Sequence, residues 1–211
     1  MTPNLRLIYF DFPFWRAEPS RIALFMGNIP YEDHRPSREE FLRMKNSGEL
    51  PYGQLPVLDV DGVRIAQSVA IARYCGKVSG LYPAQEVATA RCDELLDTAS
   101  QITQELGPSM RSKDPVEKAR LRQNLATKIF PRWMGMLEQR LQANGESGFF
   151  VGDSITMADL IIWRLLGWLI SGILDGIPTD LLDPFPGLLQ HQERIGSHPG
   201  VLAWKRHRQD A

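Results

Sequence analysis

Gln67 and Ser68 set an amide beside a hydroxyl where a hairpin gives way to a helix, a pairing suited to holding a carboxylate. Behind them Val69, Ile71, Ala72 and Cys75 recur at helical spacing. Ser68 is therefore expected to cap that helix. A helix N-terminus offers unpaired N–H groups and a partial positive charge to an anion. Just upstream, Val57, Leu58 and Val60, then Val63 and Ile65, flank Asp61-Gly62, the strongest short-range hairpin signal. A hairpin beside an anion-binding helix end suits a small, acidic, peptide-like ligand.

Other chemistries find few residues to carry them. The 211 residues hold 24 Lys+Arg against 25 Asp+Glu, a net charge of -1, which gives no electrostatic case for nucleic acid. No apolar run approaches the roughly 18 residues of a membrane helix. The opening MTPNLRLIYF carries a strand-like run too early and too short for a secretory signal. Cys75 and Cys92 stand without a CxxC or metal-ligand spacing. No metal site is expected, and both cysteines read as small core residues. The expected compartment is a reducing cytoplasm.

The elements that must position Gln67 and Ser68 begin with Leu5 to Phe10, a buried strand. Arg16 to Asn28 is expected to be a helix, Ile29 to Arg35 a second strand, and Ser37 to Glu40 a capping box opening a short helix with Phe41 and Met44. The order β-α-β-α-β-β-α describes a thioredoxin-like α/β domain over residues 1–80. Ser79 to Pro83 is the linker, and residues 86–211 carry no convincing strand, so an all-helical domain is expected there. Within it Glu86 to Arg111 reads as one long helix, and Asp114-Pro115 starts another towards Asn144-Gly145. Thr156 to Asp159 resembles a capping box ahead of Leu160 to Ile170, a run apolar nearly all round and so expected at the domain centre. A last helix from Gly187 is expected to end near His198-Pro199.

Together these pieces resemble a cytosolic glutathione S-transferase along essentially the whole chain. The matching residues are Tyr9-Phe10, Arg16-Ala17-Glu18, Gly53-Gln54-Leu55-Pro56, the run from Gln67 to Tyr74, and Gly152-Asp153 with Thr156 to Asp159. Gln67 to Tyr74 and the strand-end Tyr look most like the sigma class of the tyrosine-using group. One stretch departs from the family pattern of Tyr-Phe followed by Arg-Gly-Arg-Ala-Glu. Here YFDFPFWRAE is one residue longer, lacks that Gly and first Arg, and carries Phe12, Phe14 and Trp15 instead.

The resemblance implies attack by the glutathione thiolate on small apolar or aromatic electrophiles, with glutathione as co-substrate and no permanently bound cofactor. A free thiol with pKa near 8.5 is about 3% ionised at pH 7. Lowering that pKa by two units takes roughly 2.7 kcal/mol. One hydrogen bond to the anion supplies about 1.5–3 kcal/mol, so a single phenol nearly suffices. Tyr9 is assigned that role, and Arg16 would lend positive field, although it equally fits a solvated first-turn residue. Leu55-Pro56, in a cis bond, would offer the Leu55 backbone to the cysteinyl unit beside Gln54. Gln67 and Ser68 would hold the γ-glutamyl carboxylate, and Lys45 the glycyl one. Phe41 stands where an indole often donates, and has no N–H to give. Across a homodimer, Asp97 or Gln101 would reach the γ-glutamyl amine, and Arg73 would pair with Asp93 or Asp97.

Phe12, Phe14, Trp15, Arg111 and Trp204 are the expected electrophile pocket, though aromatics there equally fill core gaps. The sigma-class likeness raises prostaglandin isomerisation, yet the segment after Gln101 shows no aromatic to stack such a substrate. Peroxidase activity fits the same thiolate. The alternative is a non-catalytic carrier or structural protein on the same fold. A thiol-disulfide reductase would need a Cys where the chain has Phe14-Trp15-Arg16.

Overall fold

Leu7 and Ile8 face Leu58 and Val57 across two antiparallel strands, and none of the four has any exposed surface. Around that centre the computed structural model, which describes residues 3–210, has β1 (Leu5–Ile8), α1 (Glu18–Met26), β2 (Glu32–His34), α2 (Arg38–Asn46), β3 (Val57–Val60), β4 (Val63–Ala66) and α3 (Ser68–Val78). This is the order expected from the sequence. The strands lie β2-β1-β3-β4, with β1 parallel to β2 and antiparallel to β3. Asp61 and Gly62 join β3 to β4 with φ of 49° and 85°, the double positive φ of a type I′ turn.

After α3 the regular elements are α4 (Glu86–Glu105), α5 (Gly107–Arg111), α6 (Pro115–Asn124), a π turn (Leu125–Ile129), α7 (Phe130–Gln142), α8 (Met157–Leu169), α9 (Pro186–Gly196) and α10 (Pro199–Asp210). The expected single helix from Glu86 to Arg111 is two, because Pro108 lacks an N–H to continue the ladder and instead sits in the first turn of α5. The helix from Asp114 passes through the π turn, where the Phe130 N–H reaches back to the Leu125 carbonyl. Pro131 follows at once; its ring would press on the carbonyl four residues earlier, and the wider turn relieves that crowding. The helix expected to be last ends at Gly196, and Pro199 opens a further one. A proline read as a stop is there a first-turn residue.

Helices α1 and α3 pack on each other and against α8; α3 also touches β3 and β4, while α1 touches α10. Ten of the thirteen residues of α8 are buried, which puts it at the centre of the helical part as its all-round apolarity requires. Its N-terminus is closed by Asp159, a carboxylate with no exposed surface. It accepts from the Thr156 N–H and hydroxyl at 2.8 Å each, accepts from the Phe150 N–H at 2.9 Å, and lies 3.1 Å from His191 Nε2 on α9. The other expected box is half made. Ser37 Oγ accepts from the Glu40 N–H at 3.1 Å, but the Glu40 carboxylate turns to His34 Nε2 at 2.9 Å.

Asp159→Ala would strand several buried donors, each worth about 1–3 kcal/mol. The expected loss is about 3 kcal/mol or more in a urea unfolding curve, and a loss below about 1 kcal/mol would contradict the four-way contact. Burial pushes the Cys75 thiol up to about 12 and the Cys92 thiol up to about 11. Both should therefore ignore an aromatic disulfide reagent at pH 8 in the folded protein and react on unfolding.

Candidate active site

Tyr9 follows β1 directly, and its N–H still bonds to the His34 carbonyl of β2 at 3.1 Å. Helix α1 fixes what comes next. Arg21, with a fully buried side chain, donates Nη2 to the carbonyls of Tyr9 and Phe10 at 3.2 and 3.3 Å. Its Nε meets Asp33 at 2.9 Å and its Nη1 meets Glu18 at 3.4 Å. The strand end is thus tied to a helix by a guanidinium whose fork spans both. Burial pushes the Tyr9 phenol pKa up, against the smaller opposing fields of Arg16 and Arg21. At neutral pH the hydroxyl keeps its proton and is available as a donor.

A small cleft is walled by Arg16, Gln54, Leu55, Pro56, Gln67 and Ser68. The Leu55–Pro56 bond is cis, as the resemblance implies. The Leu55 N–H and C=O have no backbone partner among the described residues, so they are open to pair with an extended peptide. Ser68 is the first residue of α3 and not its cap, a correction to the sequence expectation. Gln67 takes the cap position with φ of 74° and makes no capping hydrogen bond. That conformation costs a non-glycine residue about 1–3 kcal/mol. In return an amide, a hydroxyl and the free N–H groups of the first turn are left facing one small space.

Tyr9 lines a separate cavity of about 570 Å³. Phe12, Phe14 and Arg16 line it from the N-terminal part, and Leu106, Met110 and Trp168 from the helices. Phe14 packs edge-on to Trp168 at 4.7 Å and stacks on Phe12 at 5.5 Å, making an aromatic wall. Arg16 belongs to both spaces, its guanidinium 5.5 Å from the Trp15 ring. The cleft and the aromatic-walled cavity therefore share one cation, Arg16, and the Tyr9 phenol stands on the cavity side of it.

Residues 5–77 match the family model described as the glutathione S-transferase N-terminal domain, and residues 101–208 match that of the C-terminal domain. The chain belongs to the glutathione S-transferase family. It is 34% identical to a hematopoietic prostaglandin D synthase of Gallus gallus, over 96% of this chain and 95% of that one. It is 32% identical to glutathione S-transferase 4 of Caenorhabditis elegans, over 99% of each chain. Among solved structures it resembles prostaglandin synthase D of Nilaparvata lugens, with a TM-score of 0.85, 28% identity and 98% of each chain covered.

Three residues expected in the electrophile pocket of this transferase lie elsewhere. Trp15 is core, 2% exposed. Trp204 is buried on α10, where its Nε1 donates to Glu18 at 2.8 Å. Arg111 is exposed and does not line the cavity itself, although its guanidinium folds back against Gly107, which does. Phe41 is half-buried edge-on to Phe10 at 5.2 Å, and Lys45 is exposed alongside Gly53, next to the cleft. Asp97 and Gln101 are exposed on α4; Asp97 accepts from Arg73 at 3.3 Å and Asp93 pairs with the same guanidinium. These pairs close within one chain, where a two-fold partner was expected. The sequence reading missed Arg21, and missed Met110, Lys118, Arg122, Trp168 and Asp175 of the cavity. Lys118 and Arg122 did leave a trace, as two cations four residues apart on one helix face.

Arg21→Met would leave Glu18 and Asp33 without their shared partner and free the end of β1. A buried pair broken on one side costs about 3–5 kcal/mol. Chemical denaturation should show a loss of that order, and an unchanged midpoint would remove Arg21 from its structural role.

Proposed function

We propose that Tyr9 ionises bound glutathione by donating its hydroxyl hydrogen to the sulfur, and that the thiolate then attacks an electrophile seated in the aromatic-walled cavity. Membership of the glutathione S-transferase family makes glutathione the co-substrate and conjugation the activity. The observation that carries the assignment of roles is Tyr9 on the wall of the cavity, with Arg16 lining both the cavity and the cleft. Phenol rather than phenolate is the useful form, because the anion to be stabilised is the sulfur. Arg16 adds positive field at the same point.

Glutathione is then laid along the cleft. Its γ-glutamyl carboxylate meets Gln67, Ser68 and the first N–H groups of α3, its cysteinyl unit pairs with Leu55, and its glycyl end reaches Gln54 and Lys45. Residues 1–80 supply this half of the site, and residues 86–211 the electrophile half. In a homodimer Asp97 or Gln101 of the second subunit would approach the γ-glutamyl amine, Gln101 without charge. The sigma class and a cytoplasmic location fit the same reading. The relatives named prostaglandin D synthase favour isomerisation as a side activity, with Phe14 and Trp168 as the stacking surface in place of an aromatic on α5. Hydroperoxide reduction uses the same thiolate.

Tyr9→Phe removes the donor with little change of shape. Conjugation of 1-chloro-2,4-dinitrobenzene should fall about 10- to 100-fold in kcat, and the pKa of bound glutathione should rise by about one to two units in a thiolate absorbance titration. Unmoved values would overturn the role of Tyr9. Absence of turnover in the unaltered protein would favour a carrier.

A further inference from the structure

The cavity beside Tyr9 is aromatic at one end and charged at the other. The far end carries Lys118 and Arg122 from α6, with Asp175 from the loop after α8. Arg122 is 2% exposed. Its Nη2 reaches the Met110 sulfur at 3.0 Å, a weak acceptor, and comes no nearer than 3.8 Å to Asp175. Its Nε and Nη1 have no partner among the described residues, and these atoms hold most of the guanidinium's N–H donors. Asp175 is engaged by Lys118 Nζ at 2.8 Å and stands largely in solvent. One screened carboxylate thus faces two cations.

Arg21 shows what a closed buried guanidinium looks like in this chain, with two carboxylates and two carbonyls around it. Arg122 has the burial without the acceptors. Burying a charged donor without a partner is unfavourable, and an anion presenting two oxygens would repay it. The cluster is also reachable from a second side, because an adjoining cavity of about 500 Å³ shares Ser112, Lys118, Arg122 and Asp175.

We propose that Lys118 and Arg122 form an anion site, and that the electrophiles of this transferase are amphipathic acids. Each would place its reacting, apolar end against Phe14 and Trp168 beside Tyr9 and its carboxylate at the far end of the same cavity. The proposal rests on the conjugation reading for the reacting end. Asp175 is the resident counter-ion, holding Lys118 until the ligand carboxylate displaces it. The stem of Arg122 also packs near Gly176, where a Cβ would come within 3.0 Å; a purely packing role for Arg122 would be indifferent to ligand charge.

The probes are N-(carboxyalkyl) amides of 4-chloro-3-nitrobenzoic acid with increasing spacer length, each beside its methyl ester, so that the reacting ring is electronically the same in both. At the best spacer the acid should show a KM roughly ten-fold or more below that of the ester. The acid-to-ester ratio of kcat/KM should fall roughly ten-fold in Arg122→Met and by about three-fold in Lys118→Met. Asp175→Asn, which removes the competing carboxylate, should raise it. A ratio near one in the unaltered protein overturns the site, as does a ratio unmoved by Lys118→Met or lowered by Asp175→Asn; these two variants decide the matter if Arg122→Met does not fold. Calorimetric titration of acid and ester without glutathione separates the two levels. Selective binding of the acid with no conjugate formed would sink the conjugation reading and keep the anion site, whereas conjugation with equal binding of acid and ester would do the reverse.

Discussion

The Arg21 guanidinium joins the end of the central strand to the first helix, and the position of Tyr9 follows from that joint. Two carbonyls at the strand end, one carboxylate from the following strand and one from its own helix surround it. A planar fork reads all four at once, which a flexible ammonium would not. Glu18, one of those partners, also takes hydrogen bonds from Trp204 and Arg208 at 2.8 and 3.0 Å. The strand end is therefore coupled through one carboxylate to the last helix, and Glu18 is a polar joint between the two halves of the chain.

Buried charge is used in two different ways. Arg21 and Asp159 are closed by the protein itself, and each stitches elements distant in sequence. Their hydrogen bonds are numerous and largely sealed from water, which is the condition under which a buried ion is tolerated. The cleft and the cavity work by leaving groups open: Gln67 and Ser68 without capping bonds, the Leu55 backbone without a ladder, and the Tyr9 hydroxyl as a donor in wait. Strain at Gln67 and unpaired backbone at Leu55 are affordable because the sheet and α3 around them are packed and rigid.

Much of the sheet-bearing half was legible in the sequence because its signals are local. Asp61-Gly62 between two β-branched runs admits one turn, and the all-round apolarity of Leu160 to Ile170 admits a central position. Prolines were less legible. Pro108 broke a helix that periodicity made continuous, and Pro199 began one where a stop was expected, since a missing N–H is compatible with either end of a helix. Aromatic residues near the site in sequence were misplaced for a different reason. Trp15 and Trp204 bury their rings in the core, and only tertiary packing decides which face of a helix or loop a large ring takes. The far wall of the cavity is built from α4, α5, α6 and the segment after α8; no local pattern ties Asp175 to Lys118 across so much chain.

The π turn at Leu125–Ile129 sets the angular phase between α6 and α7. An α-helix turns by about 100° per residue, so one extra residue in a turn rotates everything before it relative to everything after. Downstream, Phe130, Met134, Leu137 and Leu141 keep their seam towards the interior; upstream, the same rotation presents Arg122 to the cavity. Excising a single residue from this bulge would straighten the rod and swing that guanidinium about a quarter-turn aside. A family sharing one scaffold could thus retune its ligand preference by indels inside a helix, with no pocket residue exchanged.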